Sequence, residues 1–176
     1  MKIAIDAGHG WHTPGKRSPD GMREYEFNRE TALFLRKELT DDVLFVHHDS
    51  RDVPLSERVK QANAAGADLY VSIHANAFGE EWTSAHGIET YVYTSRPAKA
   101  LKIAQSVQKE LVSATGRRDR GVKAADFYVL RQTRMPAILV EAGFMTNREE
   151  AALLQSIEYR KTCARAIAAG IKRVSF

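Results

Sequence analysis

Cysteine is almost absent from this sequence, and its scarcity sets the first limits. The 176 residues contain a single cysteine, Cys163. An intrachain disulfide is therefore impossible, which excludes a small scaffold held together by disulfide bonds. Cys163 lies in a segment whose pattern predicts a C-terminal helix, and we expect its thiol to be a small buried apolar group.

Long hydrophobic runs are missing as well. No stretch approaches the ~20 apolar residues of a membrane-spanning helix. Asp6 interrupts the apolar run at the N-terminus, so no secretory signal peptide is predicted. Internal repeats, linkers and low-complexity segments are absent, and the length suits one domain. We therefore expect a single domain over residues 1–176 without a transmembrane segment, and we expect it to be a monomer.

Charge of one sign is only mildly in excess. There are 26 basic and 22 acidic residues, which give a net charge of +4. The densest basic stretch, GRRDRGVK at 116–123, contains no aromatic residue on which a base would stack. We interpret it as a solvated loop. The composition therefore predicts no nucleic-acid partner.

What the sequence does contain is an alternation of short apolar runs with helical patterns. This alternation predicts an α/β fold: a mixed, mostly parallel sheet of about six strands with helices on both faces. The connection 75–87 contains no helical pattern, which favours an antiparallel pair of strands on either side of it. Strands are predicted at 2–6, 43–46, 69–74, 88–93, 127–130 and 137–141, and helices at 28–39, 55–65, 97–115, 147–155 and 157–173.

Three chemically active residues follow or end predicted strands. His9 follows KIAID, His74 ends LYVSIH, and Glu141 ends AILVE. In open α/β sheets the ligand crevice lies outside the carboxyl ends of the strands, so these side chains are expected to converge. Two imidazoles and one carboxylate form the protein ligand set of a catalytic zinc ion whose fourth position is open to water.

The third ligand has several candidates: Glu24, Glu26, Glu30 and Glu141. If the helix that contains Phe27 and Thr31 reaches back to residue 24, Glu24 shares their core-facing stripe, whereas Glu26 is rotated about 160° away. Glu24 is therefore better placed to point inward. The alternative is a solvated glutamate near a helix N-terminus, where negative charge is favoured.

Glu141 also has two interpretations, because a carboxylate after AILV is buried at a cost unless it is paired. One is a structural salt bridge to Arg131 or Arg134. The other is a general base beside a metal-bound water. Among the remaining histidines, His12 lies near His9, His86 lies in a loop that could approach a substrate, and His47 and His48 are expected to face solvent; none of these is predicted to be a ligand.

An ordered set of motifs then identifies a family. The segments IDAGHG, GMREYEFN, DSRDVPLSERVKQAN, VSIHANA, GIETYVY and FYVLRQTRMPAILVEAGFMTN resemble the zinc-dependent N-acetylmuramoyl-L-alanine amidases of the amidase-3 family. They extend over residues 2–147, and the helices beyond also fit, so the resemblance covers essentially the whole chain. Each motif alone is a weak signal, but their ordered set is specific.

The resemblance implies both a site and a reaction. The family's metal ligands match His9, Glu24 and His74, which would hold one zinc ion, and its catalytic glutamate matches Glu141. The implied reaction hydrolyses the amide between N-acetylmuramic acid and L-alanine in peptidoglycan, with Glu141 as base and then as acid to the departing nitrogen. One departure is Trp11, where the family usually has a second glycine; it could reshape the groove or stack on a sugar ring. The common loop inserts are short, which suggests an open cleft.

The resemblance also raises expectations about biology. Many relatives carry a signal peptide or a wall-binding module, and neither is recognised in this sequence. An endolysin-like enzyme that is made in the cytoplasm and reaches the wall after release is one expectation, and an excised catalytic domain is the other. Two rival functions stay open: a zinc peptidase that cuts the stem peptide, and a non-catalytic wall-binding module. The roles of Trp11, His86 and Arg131 stay open too.

Overall fold

A six-stranded mixed sheet organises the molecule. A computed structural model describes residues 1–13 and 15–174. The sheet order is β2-β1-β3-β6-β4-β5, and the only antiparallel pairing among the described strands joins β4 to β6. The elements in chain order are β1 Lys2–Ala7, α1 Glu24–Glu38, β2 Asp42–Phe45, α2 Leu55–Ala64, β3 Leu69–Asn76, β4 Ile88–Val92, α3 Ala98–Thr115, β5 Asp119–Ala124, α4 Tyr128–Gln132, β6 Ala137–Phe144, α5 Arg148–Gln155 and α6 Ile157–Lys172.

The predicted fold class is confirmed, as are five of the six predicted strands and the five predicted helices, with bounds that shift by a few residues. The predicted strand at 127–130 is wrong, because Tyr128–Gln132 forms the short helix α4. The sixth strand is instead β5, Asp119–Ala124, which overlaps the basic stretch 116–123 that we interpreted as a loop. Strand β4 does run opposite to β3, but β6 lies between them.

Two apolar layers cover the sheet, one on each face. Strand alternation sends Ile3 and Ile5 to the larger layer, which contains residues of α1, α3 and α6, and sends Ala4 to the smaller layer beside α2 and α4. Cys163 is fully buried in the larger layer, as predicted. No helix among the described residues is long and apolar enough to cross a membrane.

The smaller face becomes polar toward one end of the central strands. Tyr70 of β3 and Leu139 of β6 belong to the apolar layer, and two residues further along the same face come Ser72 and Glu141. On β1, Asp6 follows Ala4 in the same way. Residues i and i+2 of a strand share a face. The alternation that builds the smaller core therefore also places these polar side chains together, near the carboxyl ends of β1, β3 and β6.

Candidate metal centre and catalytic cleft

Three predicted ligands meet at this end of the sheet. One carboxylate oxygen of Glu24, Oε2, lies 3.1 Å from His9 Nε2, and the other, Oε1, lies 2.8 Å from His74 Nδ1. One potential ligand atom from each residue falls within 4.8 Å of the others. The two imidazole rings stand nearly perpendicular, with centroids 5.3 Å apart. Two nitrogens and one carboxylate oxygen therefore face a common point.

Helix α1 decides which glutamate reaches this point. The helix begins at Glu24, whose side chain is buried on the same stripe as Phe27, Asn28 and Thr31. Glu26 folds back toward the Arg23 backbone N–H, and Glu30 forms an ion pair with Arg160 of α6. The alternatives Glu26 and Glu30 are thus used elsewhere, because their positions on the helix turn them away from both histidines.

Local contacts keep the Glu24 carboxylate ionised. Burial alone raises the pKa of Glu24, but hydrogen bonds and positive charge from His74 and His9 outweigh it, so its pKa lies below the ordinary value. The Lys16 backbone N–H donates to Oε2 at 3.1 Å, and Asn28 Nδ2 approaches Oε1 at 3.4 Å. An anionic, oriented carboxylate is what a divalent cation requires of a ligand.

The turn after β1 holds His9 in an unusual conformation. His9 has a φ of 68°, the left-handed region that residues with a Cβ seldom adopt. The buried Arg58 guanidinium fixes this turn, donating to the Ala7 carbonyl at 2.7 Å and to the His9 carbonyl. Gly8 contributes by its lack of a side chain, since a Cβ there would lie 2.1 Å from the His74 ring. Gly8 thus allows the His74 ring to lie against the turn that carries His9.

Glu141 lies beside His74 in the sheet, where the two residues are register partners. Its Oε2 is buried and has no hydrogen-bond partner among the described residues. The salt bridge considered from the sequence, to Arg131 or Arg134, is not formed among the described residues, and Arg131 pairs with Asp126 instead. Burial raises the pKa of Glu141 well above its ordinary value, and the nearby carboxylates of Glu24 and Glu89 raise it further. Burial and these two carboxylates therefore favour the neutral form of the Glu141 carboxyl group.

Glu89 was not identified from the sequence. It is the cross-strand partner of Glu141 on β4 and is almost completely buried. Its carboxylate receives Arg120 Nε at 2.6 Å, the Lys123 ammonium, and the Tyr91 hydroxyl at 2.7 Å. Burial raises its pKa, but these partners outweigh burial and leave the pKa of Glu89 below its ordinary value. The basic stretch 116–123 therefore neutralises a buried carboxylate beside the site.

A cleft of about 610 Å³ opens over the cluster. His9, Glu24, His74 and Glu141 line it together with two mostly apolar walls. One wall is Val53–Leu55, which leads into α2, and the other is Phe127–Val129, which contains the start of α4. Apolar walls around a few polar groups are typical of a ligand site.

The remaining predicted histidines lie outside the cluster. The prediction that His47 faces solvent is wrong: its side chain is buried, and Nδ1 accepts the Ala7 backbone N–H at 3.1 Å. The sequence placed it at the end of an edge strand, but the neighbouring strand β1 continues past that end and buries it. His48 is exposed, as predicted. His12 is exposed, and the His86 ring contacts the Ser84 carbonyl.

Trp11 and Arg131, whose roles the sequence left open, also have defined contacts. Trp11 is 39% exposed and meets the Tyr25 ring edge to face, with centroids 5.3 Å apart. The Arg131 guanidinium lies over the Tyr128 ring at 5.8 Å. Neither residue is among those that line the cleft.

Comparison with known proteins identifies the family. The model of the N-acetylmuramoyl-L-alanine amidase family, Amidase_3, matches residues 3–173. The chain is 37% identical to the amidase CwlM of Bacillus licheniformis over 98% of this chain and 68% of the relative, and 40% identical to LytC of Bacillus subtilis over 94% and 34%. The amidase structure from Clostridium difficile 630 superposes with a TM-score of 0.93 at 34% identity, covering 98% of this chain and 95% of that one. The chain therefore belongs to the N-acetylmuramoyl-L-alanine amidase family, enzymes that hydrolyse an amide bond of peptidoglycan and are in general zinc-dependent.

Proposed function

We propose that this chain performs the family reaction with one zinc ion held by His9, Glu24 and His74 and with Glu141 as the proton-transferring residue. The main observation in support is a buried carboxylate oxygen of Glu141 that lies next to the cluster and has no hydrogen-bond partner among the described residues. A buried carboxylate without a partner is costly, so its presence beside three convergent ligands favours a catalytic purpose. Two imidazoles and one carboxylate match the donor chemistry of a catalytic zinc site.

The division of labour follows from the positions of these groups. A bound zinc ion would polarise the scissile carbonyl and acidify a water molecule. Glu141 accepts one proton from that water molecule, and the oxygen of the water bonds to the carbonyl carbon. When the C–N bond breaks, Glu141 returns the proton to the departing nitrogen of L-alanine. A raised pKa suits this exchange, because the same group must act first as base and then as acid near neutral pH.

The substrate is peptidoglycan, and the cleft offers room for it beside the cluster. The apolar wall residues Val53–Leu55 and Phe127–Val129 would contact the sugar ring or the lactyl group, while the amide lies over the ligands. Trp11, exposed near His9 in the chain, is a further surface for a sugar ring. We also propose that residues 1–176 form one catalytic domain that acts as a monomer.

The biological setting is a separate proposal. The relatives include the endolysin of Bacillus phage SPP1, 34% identical over 98% of this chain, and a sporulation-specific amidase of Bacillus subtilis. We propose an endolysin-like role, in which the enzyme acts on the wall after release. Lysis of intact cells by protein added from outside, compared with lysis after the membrane is permeabilised, would test which barrier limits access.

Product chemistry tests the reaction itself. Purified peptidoglycan is digested with and without a chelator, and the fragments are analysed by mass. An amidase frees the amino group of L-alanine and creates no new reducing sugar. A free amine deeper in the stem would show a peptidase instead, and binding without any fragment would show a wall-binding module.

Matched variants test the residues. Glu141→Ala should keep zinc and lose turnover by a factor of about 10² or more. Glu24→Ala should lose zinc, whereas Glu26→Ala, two residues along the same helix, should keep both zinc and activity. Retained turnover in Glu141→Ala, or unchanged zinc content in Glu24→Ala, would contradict the corresponding role.

A further inference from the structure

A continuous hydrogen-bonded chain connects one predicted ligand to a buried ion pair. His74 Nε2 lies 3.1 Å from Ser72 Oγ, and Ser72 Oγ donates to Asp6 Oδ2 at 2.8 Å. The other Asp6 oxygen, Oδ1, receives Arg58 Nη1 at 2.6 Å. Asp6, Ser72 and Arg58 are all at most 2% exposed, so water does not compete for these contacts.

The direction of each hydrogen bond in this chain is determined. The Arg58 guanidinium can only donate, and its pairing keeps Asp6 anionic, so Asp6 can only accept. Ser72 has one hydroxyl proton, and it donates that proton in a hydrogen bond to the Asp6 carboxylate. The Ser72 oxygen is then left as an acceptor toward His74, and the proton between them must belong to His74 Nε2.

We propose that Asp6 and Ser72 are positioning residues that fix a proton on His74 Nε2 and thereby reserve Nδ1 for the metal. Nδ1 is the nitrogen that faces Glu24, at 2.8 Å from Oε1. An imidazole ligates through an unprotonated nitrogen, so the hydrogen bond at one nitrogen decides which nitrogen binds. This inference rests on the proposed zinc site.

Arg58 also supports the second histidine, His9. Besides pairing with Asp6, its guanidinium donates to the His9 carbonyl and, through Nε, to the Val53 carbonyl at 2.8 Å. One side chain therefore anchors the turn that presents His9 and, through Asp6 and Ser72, the ring orientation of His74. The two imidazoles share one buried support.

The test removes only the middle of the chain. Ser72→Ala leaves the Asp6–Arg58 pair in place but deletes the acceptor for His74 Nε2–H. Ser72→Thr keeps a hydroxyl at the same position of the strand. Thr90→Val is the matched control, because Thr90 is also a fully buried strand residue and its hydroxyl donates to Gln108 on the opposite face.

Two readouts follow the zinc-loaded protein. Competition with a chromophoric chelator should show that Ser72→Ala weakens zinc binding about 10- to 100-fold, while Ser72→Thr recovers most of the affinity and Thr90→Val leaves it unchanged. Proton–nitrogen NMR should detect a slowly exchanging His74 Nε2–H proton in the parent chain and in Ser72→Thr, and should not detect it in Ser72→Ala.

The outcomes separate this inference from the proposed function. If the parent chain binds zinc but Ser72→Ala binds it within twofold and keeps a protected Nε2–H proton, the positioning role is refuted while the zinc site stands. If NMR shows zinc at Nε2 of His74, the inference is also wrong. If the parent chain binds no zinc at this cluster, the proposed function fails first. Should Ser72→Thr not fold, the NMR signal of the parent chain and its loss in Ser72→Ala still decide the question.

Discussion

Gly8 gives the sharpest test of whether close packing sets the metal site. Gly8→Ala adds a Cβ whose nearest neighbours are three atoms of the His74 ring, at 2.1, 2.3 and 2.6 Å. Restoring ordinary contact, from 2.1 to 3.4 Å, displaces the ring by about 1.3 Å. The backbone itself should accept alanine, since Gly8 is not among the residues with positive φ. The strain therefore falls on His74.

A displacement of this size at a ligand is large. Misplacement of a reacting group by about 1 Å can reduce the rate about 10²-fold, and we expect a loss of that order in activity together with weaker zinc binding. Zinc affinity by chelator competition and turnover of purified peptidoglycan would measure the two effects. Circular dichroism and a urea titration would establish that the variant folds.

Gly10→Ala is the matched control in the same turn. A Cβ at Gly10 would lie 2.2 Å from Asp52 Oδ1, an equally short approach, but it meets the end of a partly exposed side chain that can rotate away. We expect zinc affinity to stay within about threefold of the parent value, since no ligand must move. Equal zinc affinity in folded Gly8→Ala and Gly10→Ala would refute the reasoning.

Further predictions concern the buried charges and the buried histidine. Glu89→Gln removes a carboxylate that raises the pKa of Glu141, so the acid limb of the pH–rate profile should move to lower pH, and an unchanged limb would count against this coupling. Burial lowers the pKa of His47, so the folded state favours the neutral ring. The contribution of His47 to the unfolding free energy, measured by urea titration, should be complete above about pH 6.5, the ordinary pKa of histidine, and should be lost as the pH falls toward the lower folded-state pKa. The variant His47→Gln should lack this decline. Glu150→Ala removes the acceptor of the Gly87 and Phe144 backbone N–H groups and should cost about 2–4 kcal/mol of unfolding free energy, because each group is buried, while the exposed neighbour Glu149→Ala should cost less than about 1 kcal/mol; equal losses would contradict the assignment.

The parts of the site that lie at strand ends and on a helical stripe were accessible from the sequence. Periodicity alone places His9, His74 and Glu141 at the carboxyl ends of parallel strands, and a helix that begins at residue 24 favours Glu24 over Glu26. These features depend on local repeats that a single sequence displays.

The failures all depend on contacts between distant segments. The apolar run FYVL has the composition of a strand, yet Phe127–Val129 line the cleft, and Val129 and Leu130 are buried in the smaller apolar layer. The charged stretch 119–124 forms an edge strand because Arg120 and Lys123 reach Glu89, over 30 residues earlier. No periodicity in either segment reveals such pairings, because they are fixed by sheet register.

The reversed direction of β4 gives the connection 77–87 a special position. Strand β3 ends and β4 begins on the side of the sheet where His9, Glu24 and His74 meet, and Ala77, at the start of the connection, lines the cleft. Extra residues inserted here would overhang the entrance without shifting any strand, and a longer loop of this kind costs little entropy to close. Related chains can therefore gain or lose a loop over the cleft at this connection while the sheet and the residues on it keep their positions.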